Sequence, residues 1–357
     1  MSWHPRILLI KLSSFGDVIQ ALPTLEALRD AFPEGHITWL VEEGFTPLLS
    51  GHPALQEVWP VPRVRPGRGF RGEELRGLLR LARQVRSAPF DLVIDLQGLL
   101  KSAVWVALAR SPRKVGYGGT RELSYLALTE RLTPYDPEVH AVRRYLHVAR
   151  HLGAPPALPG FRLGLQPVFP GNLVSEGAKK SRAHKESRAG TGERPLVALH
   201  PGARWATKIW PAASWAVLGD RLIREKGLAV VITGSAGDRE LAGRICGLMQ
   251  EKALNLAGRT SLAELAGVLQ KSRLAVTADT GPMHLAAALG TNVVAVFGPT
   301  APWRTGPFGE GHQAVRLDLA CSPCFKRRCP EPRCLTLLSP DMVFAALEKI
   351  LAAGAGN

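Results

Sequence analysis

Short apolar runs alternate with helical patterns along both halves of the chain, and this alternation constrains the fold more than any other feature. In the second half, runs such as Leu196–Leu199 and Leu274–Ala278 are long enough for buried strands, and segments with helical spacing lie between them. Strands that alternate with helices of this length form a parallel sheet covered on both faces. The first half repeats the pattern from Arg6–Ile10 onwards. We therefore expect an α/β fold with two Rossmann-like domains whose parallel sheets face each other across a cleft.

A change in composition separates the two halves. Residues 179–194 are polar and basic and contain almost no large apolar side chain, which is typical of a segment without a core of its own. The length of this stretch favours a linker over a long surface loop within one domain, which is the alternative. The expected organisation is an N-terminal domain at 1–160, a flexible basic linker or insert at 161–194, and a C-terminal domain at 195–357 that ends in a helix.

Charge narrows the classes of partner. The 357 residues carry a formal net charge of +15, which suggests an acidic partner such as nucleic acid, anionic lipid or a phosphorylated substrate, although solubility alone explains it equally well. Aromatic residues make up only 6%, which weakens a base-stacking interpretation. No apolar run approaches the ~18 residues of a membrane span. The N-terminus lacks a signal-peptide layout, so we expect a cytoplasmic protein.

The stretch Leu274–Thr300 has the pattern of a strand, a sharp turn, a helix rich in alanine, and a second strand. Asp279, Thr280 and Gly281 stand at the turn, where a helix N-terminus beside a glycine offers free N–H groups to an anion. Parallel strands deliver their following loops to one edge of the sheet, where ligands bind. The alternative is an ordinary βαβ unit with routine capping.

Other turns after predicted strands carry polar residues. Lys208 stands just before a predicted helix, where it could neutralise a phosphate. His284 lies one turn into the helix that follows Gly281, and it is either a phosphate or sugar contact or a histidine on the helix surface. Asp17, taken alone, is best interpreted as a helix-capping carboxylate. The loop after the first predicted strand, KLSSFGD at 11–17, carries neither GxGxxG nor GxxxxGK[ST], so dinucleotide binding and a P-loop are not supported there.

Four cysteines form a compact group that also contains the basic run Lys326, Arg327 and Arg328. Four thiols could hold zinc, but the spacings differ from the usual pair of separated CxxC knuckles. Reduced or redox-active thiols are the favoured alternative, and a cytoplasmic setting argues against stable disulfides. The group consists of Cys321, Cys324, Cys329 and Cys334.

Five motifs together resemble the ADP-heptose:lipopolysaccharide heptosyltransferases of glycosyltransferase family 9. The similarity runs through both halves and is specific in order and spacing. It implies a GT-B fold and an inverting, metal-independent transfer of a heptose from ADP-heptose to the Kdo/heptose inner core of lipopolysaccharide, with no cofactor. The motifs are KLSSFGDVIQALP at 11–23, WLVEEGF at 39–45, IDLQGLLKSA at 94–103, HPGARWATKIWP at 200–211, and ADTGPMHLAAALG with FGPT at 278–300.

The resemblance also implies roles for individual residues. Asp17 is similar to the general base that takes the proton of the acceptor hydroxyl, and Lys208 to the lysine that stabilises the departing ADP diphosphate. The implied donor-binding residues are Thr207, Lys208, Asp238, Asp279, Thr280, Gly281 and His284. The implied acceptor-side residues are Ser14, Gly16, Glu43, Arg63, Arg65, Arg68, Gln97 and Lys101.

The arginine-rich run that begins at Arg63 resembles a basic region that meets acidic Kdo and lipid A phosphates. An anionic membrane surface is then a further partner, and the expected location is peripheral at the cytoplasmic face of the inner membrane. The alternatives are another GT-B nucleotide-sugar glycosyltransferase, a sugar-nucleotide epimerase of the same fold, or a basic nucleic-acid-binding protein. No recognised nucleic-acid motif supports the last of these.

Overall fold

The computed structural model describes residues 4–63, 72–172 and 194–353. The chain divides into two compact units, Met1–Leu165 and Gln166–Asn357. Among the described residues, no helix combines the length and the apolar character that a membrane crossing requires.

The first unit alternates strands and helices. Its strands are β1 Arg6–Ile10, β2 His36–Glu42, β3 Glu57–Val61, β4 Leu92–Asp95, β5 Arg113–Tyr117 and β6 Glu130–Leu132. Its helices are α1 Phe15–Gln20, α2 Leu22–Ala31, α3 Gly72–Ser87, α4 Leu100–Leu108 and α5 Ala141–His151, with 3₁₀ segments at Glu43–Leu48 and Arg121–Ala127.

These strands form one parallel sheet in the order β3-β2-β1-β4-β5-β6. The central strands are apolar over most of their length, and Ile7–Ile10 and Leu92–Ile94 are fully buried between the helices on the two faces. Apolar residues recur at helical spacing from Val18 to Phe32, as in one continuous helix, but the structure divides this stretch at Ala21 into α1 and α2. Pro23 then stands at the start of α2, where its missing N–H breaks no helical hydrogen bond.

The second unit repeats the arrangement. Its strands are β7 Leu196–His200, β8 Ala229–Ile232, β9 Leu254–Asn255, β10 Leu274–Ala278, β11 Val293–Val296 and β12 Gln313–Val315. Its helices are α6 Ala212–Lys226, α7 Arg239–Leu248, α8 Leu262–Lys271, α9 Gly281–Ala288, α10 Pro302–Thr305, α11 Arg333–Thr336 and α12 Pro340–Ala353, with 3₁₀ turns at Ala206–Lys208 and Ala236–Asp238.

The second sheet is also parallel, in the order β12-β11-β10-β7-β8-β9. Counted within its unit, this order equals that of the first sheet, and it is the order of a Rossmann fold. The α/β class with two Rossmann-like units is therefore confirmed. The short edge strands β6 and β12 had not been predicted, because three residues carry too little periodicity to be distinguished from a loop.

The predicted linker 161–194 is divided between the units. Residues 161–165 belong to the first unit and 166–172 to the second, while 173–193 lie outside the described residues. The Val168 N–H donates to the Ala263 carbonyl at 2.9 Å. A Cβ placed on Gly267 of α8 would lie 2.3 Å from the Val168 carbonyl oxygen, so only glycine allows the two backbones to approach this closely.

Candidate active site

The strand order of each sheet reverses at its centre, between β1 and β4 in the first unit and between β7 and β10 in the second. Open α/β sheets bind ligands beyond the carboxyl ends of the strands at this position. The register places Ile10 beside Asp95 and His200 beside Thr277, so the loops that follow each pair start together. Most of the sequence-predicted site residues are in these four loops.

Asp17 lies in the first turn of α1, directly after β1. Its Oδ2 accepts hydrogen bonds from the Ser14 backbone N–H at 2.9 Å and from the Ser14 hydroxyl at 2.7 Å. An acidic side chain at the third helical position that reaches back to the N-cap residue stabilises the start of a helix. Asp17 therefore does cap α1, as the residue pattern alone indicates, and Gly16 is buried beside it in the same helix.

The other oxygen of Asp17 is held from a distant element. The Tyr145 hydroxyl of α5 donates to Asp17 Oδ1 at 3.2 Å, and Lys11 Nζ donates to the Tyr145 hydroxyl at 2.8 Å. Burial is the main cause that raises the pKa of Tyr145 well above its ordinary value, and burial also lowers the pKa of Lys11. The capping carboxylate thus ends a chain of three polar side chains.

Gln97 and Asp95 shape the neighbouring loop. The Gln97 side-chain oxygen accepts from the backbone N–H groups of Leu12 at 3.1 Å and Ser13 at 3.0 Å, so it ties the loop after β4 to the loop after β1. Asp95 is buried and accepts from the N–H groups of Gln97 and Gly98. Burial raises the pKa of Asp95, and these donors oppose the rise. Asp95 accordingly has a structural position beneath the loop.

The remaining residues that the resemblance predicts for the acceptor side are spread more widely. Lys101 Nζ forms an ion pair with Glu42 at 2.8 Å and a short hydrogen bond to the Ser13 hydroxyl. Glu43 is exposed and begins a 3₁₀ segment. The carboxylate that lies beside Lys101 is that of its neighbour, Glu42. Arg63 is exposed at the end of a described range. Arg65 and Arg68 lie outside the described residues.

In the second unit, the loops after β7 and β10 are joined by an ion pair. Lys208 Nζ lies 2.6 Å from Asp279 Oδ2, and the two side chains are 17% and 6% exposed. Thr300, in the loop after β11, donates a short hydrogen bond to the same carboxylate oxygen. Three loops that are far apart in the sequence therefore meet at one buried carboxylate, and an ammonium is fixed among them.

Two cationic side chains, those of Lys208 and Arg327, lie close to the indole ring of Trp205. Lys208 Nζ is 4.7 Å from the centre of the indole ring, and the Arg327 guanidinium is 4.9 Å from it. Attraction between a cation and an aromatic face orients both side chains. Thr207 is buried, and its hydroxyl donates to the Lys326 carbonyl at 2.9 Å, which holds the cysteine-rich loop against the loop after β7.

Asp238 follows β8 and repeats the arrangement of Asp17. Its Oδ2 accepts from the Ser235 backbone N–H at 2.7 Å and the Ser235 hydroxyl at 2.6 Å. A Cβ on Gly202 would lie 2.4 Å from Asp238 Oδ1, so a larger residue at this position of the loop after β7 would displace the Asp238 side chain. Asp238 therefore lies against the Lys208 loop.

The turn at the start of α9 has the predicted geometry. Thr280 is the N-cap residue in an extended conformation, and Gly281 is the first residue of the helix. The N-terminal N–H groups of a helix attract negative charge. His284, one turn further, is 8% exposed and so lies inside the unit rather than on the helix surface.

The cysteine group lies close to these loops. Its four thiols are free, and the Cys324 N–H donates to the Pro299 carbonyl at 3.0 Å. The pKa of Cys334 is raised first by burial and then by the other three thiols, which places all four near one another. Within the ranges that the structure describes, no group of three or more His, Cys, Asp or Glu side chains is arranged to hold a metal ion.

Sequence reasoning had not singled out Tyr145 or Glu42 as site residues, and it placed Thr300 on the rim of the site without a role of its own. Tyr145 stands in an amphipathic helix, where one tyrosine gives no local sign of its partner 128 positions away. Glu42 and Thr300 do lie within recognised motifs, at 39–45 and 278–300. Their place at the carboxyl end of a strand is the signal that could have identified them.

A pair of Rossmann-like units with these loops at the carboxyl ends of their strands defines a protein of the GT-B class, which is a fold of glycosyltransferases. The structure is similar to that of the E. coli heptosyltransferase WaaC with ADP, with a TM-score of 0.74, 26% identity and coverage of 97% of this chain and 99% of that chain. The E. coli ADP-heptose lps heptosyltransferase II gives a TM-score of 0.72 at 27% identity, with 98% and 99% covered.

Sequence comparison agrees. Lipopolysaccharide heptosyltransferase 1 of Pseudomonas aeruginosa is 36% identical over 98% of this chain and 98% of its own length. The model of glycosyltransferase family 9 (heptosyltransferase) matches residues 78–335. The chain belongs to glycosyltransferase family 9 and is a glycosyltransferase.

Proposed function

We propose that this chain transfers a heptose from ADP-heptose to the Kdo/heptose inner core of lipopolysaccharide, with inversion at the anomeric carbon and without a metal ion. The observation that carries the proposal is the pair of loop clusters at the two strand-order reversals. One presents the carboxylate of Asp17, and the other presents the ammonium of Lys208. The names of the similar proteins, which are heptosyltransferases and in one case hold ADP, support the choice of donor and acceptor.

Asp17 acts as the general base. Its carboxylate accepts the proton of the acceptor hydroxyl while that oxygen bonds to the anomeric carbon and the bond from this carbon to ADP breaks. A single displacement of this kind inverts the configuration at the carbon. Two donors of Ser14 and one of Tyr145 hold the carboxylate in place, and a positioned base contributes about 10²–10⁴ to the rate.

Lys208 stabilises the departing diphosphate. Negative charge develops on the phosphate oxygens as the glycosidic bond breaks, and a preorganised cation nearby lowers the barrier. Asp279 holds the ammonium, whose other N–H groups can still donate to a phosphate. The N-terminus of α9, at Thr280 and Gly281, supplies further positive potential. Thr207, Asp238 and His284 complete the donor site, and no metal ion is needed to neutralise the charge.

The acceptor binds at the first unit. Ser14, Gly16, Gln97 and Lys101 surround Asp17 or the loop that carries it, whereas Glu43 and Arg63 are exposed at the ends of neighbouring strands. Arg65 and Arg68 belong to the same proposed basic region, which would meet the negative charges of Kdo and lipid A.

The protein works at an anionic membrane surface on the cytoplasmic side. Helix α3 supports this, because its four arginines are all exposed and lie among the exposed leucines Leu75 and Leu79. An interfacial helix combines basic residues with apolar side chains in this way. Basic residues near an anionic surface each contribute about 1 kcal/mol to binding.

The test is turnover of ADP-heptose with two acceptors, Kdo–lipid A and its heptosylated derivative. We expect product with Kdo–lipid A, since a relative that is 36% identical over 98% of this chain is a heptosyltransferase 1. We expect turnover to survive EDTA and to fall by about 10³ in Asp17→Asn. Undiminished turnover in Asp17→Asn would remove the base assignment. A product formed from another nucleotide sugar, or an epimerised donor without any acceptor, would replace the proposed reaction with one of the alternatives.

A further inference from the structure

The hydrogen bonds that link Lys11, Tyr145 and Asp17 all donate towards the Asp17 carboxylate. Lys11 Nζ donates to the Tyr145 hydroxyl at 2.8 Å, and that hydroxyl donates to Asp17 Oδ1 at 3.2 Å. A phenol has one proton, so a hydroxyl that accepts from an amine directs its own proton to the carboxylate. Hydrogen bonds in series polarise one another, which makes the tyrosine a stronger donor to Asp17.

Of the two residues behind the carboxylate, Tyr145 is half-buried and Lys11 is buried. Lys11 is 3% exposed, although an amine is rarely buried without a strong reason. Its Nζ also donates to the Leu96 carbonyl at 3.2 Å and lies 4.5 Å from the centre of the Tyr145 ring. The amine is therefore held from two sides, by the residue that follows β4 and by Tyr145 of α5.

The charged and titratable groups around this chain come from several elements. Asp95 of β4 and Lys101 of α4 face Lys11, while Arg144 of α5 faces both Lys11 and Tyr145. Tyr135 faces Tyr145 from the segment that precedes α5. Asp95 accepts from Ser102 at 3.0 Å and from two backbone N–H groups, so its charge is compensated locally.

We propose that Tyr145 and Lys11 are positioning residues for the reaction, and that they hold Asp17 ionised and aligned for proton abstraction. The inference rests on the proposed function, because it takes Asp17 as the base. Ser14 fixes one carboxylate oxygen of Asp17, and Tyr145 orients the other. A donor and a nearby amine favour the anionic carboxylate, which is the form that can accept a proton.

The test is the pH dependence of transfer in Tyr145→Phe and Lys11→Met. Loss of a hydrogen bond to a charged group is expected to move the acidic limb of the kcat/KM profile upwards by about one pH unit, because the base is protonated more readily. ADP affinity should not change, since both residues lie in the unit that carries the acceptor residues. The matched control is Tyr117→Phe, which also removes a buried hydroxyl, in this case one that donates to the Arg144 carbonyl at 2.6 Å.

A double-variant comparison separates this inference from the proposed function. If Tyr145 acts through Asp17, adding Tyr145→Phe to Asp17→Asn will not lower the residual rate further. If Asp17→Asn loses transfer but Tyr145→Phe keeps the wild-type pH profile, the positioning role is overturned and the proposed base stands. A further fall of equal size in the double variant also overturns it. If Asp17→Asn retains full transfer, both are overturned.

Discussion

Replacing Lys208 by methionine tests the donor half of the proposed site, because the structure gives this residue two separable tasks. Its ammonium neutralises the Asp279 carboxylate at 2.6 Å, and we propose that it also stabilises the departing diphosphate. The first task affects stability, and the second affects only the rate. Lys208→Met removes both, whereas Asp279→Asn removes the buried charge that requires neutralisation.

The expected size follows from burial. Removal of one partner from a buried ion pair costs about 3–5 kcal/mol. Lys208 retains 17% exposure and Thr300 still donates to Asp279, so we expect about 2–3 kcal/mol for Lys208→Met. The double variant Lys208→Met/Asp279→Asn leaves no buried charge at this site, and its free energy of unfolding should lie within about 1 kcal/mol of wild type. The rate of transfer should fall by about 10²–10³ in Lys208→Met and in the double variant, because both lack the Lys208 ammonium.

Urea unfolding followed by circular dichroism measures the stability, and release of ADP during transfer measures the rate. Lys226→Met is a matched control in the same unit, since Lys226 Nζ also lies 2.6 Å from a carboxylate, that of Glu348, and close to an aromatic ring. That pair is exposed, so its loss should cost less than about 1 kcal/mol and leave transfer unchanged. Recovery of transfer in the double variant would refute the second task. Unchanged stability in Lys208→Met would refute the first.

Three further outcomes are expected. Gly267→Ala should destabilise the second unit by about 1–3 kcal/mol in urea unfolding, because the new Cβ meets the Val168 backbone. Gly243→Ala on α7 is the control, and it should be neutral or stabilising because the space around Gly243 is open. Equal effects of the two substitutions would contradict the close approach of the Gly267 and Val168 backbones. Burial lowers the pKa of His200 to about 4, so the unfolded state binds a proton below pH 6.5 that the folded state does not. His200 should therefore lower the free energy of unfolding by up to about 3 kcal/mol between pH 6.5 and 4, and a His200→Gln variant with the wild-type slope would exclude this contribution. Glutamine in place of the four arginines of α3 should weaken sedimentation with anionic vesicles in a salt-dependent manner and leave ADP affinity intact, and unchanged sedimentation would exclude α3 as the membrane contact.

The sequence alone determined the fold class, because the pattern of apolar residues in a buried parallel strand is contained within a few consecutive positions. The run Leu274–Ala278 is apolar except at Thr277 and is buried at every position, so its pattern needed no tertiary information. Asp279, Thr280 and Gly281 could be located for the same reason, since they follow that strand directly. Three-residue edge strands such as Glu130–Leu132 could not be predicted, because their existence depends on the neighbouring strand and not on their own composition.

Tertiary structure decided the partners of each site residue. The sequence places a carboxylate at Asp17 and favours a helix cap, and the cap is present. Only the packing of α5 on α1 brings Tyr145 to that carboxylate, across 128 positions of the chain. The meeting of Lys208, Asp279 and Thr300 likewise follows from the order of the strands. Strand patterns are encoded within a few residues, whereas strand order and helix packing arise from contacts between distant segments, and the candidate site is built from those contacts.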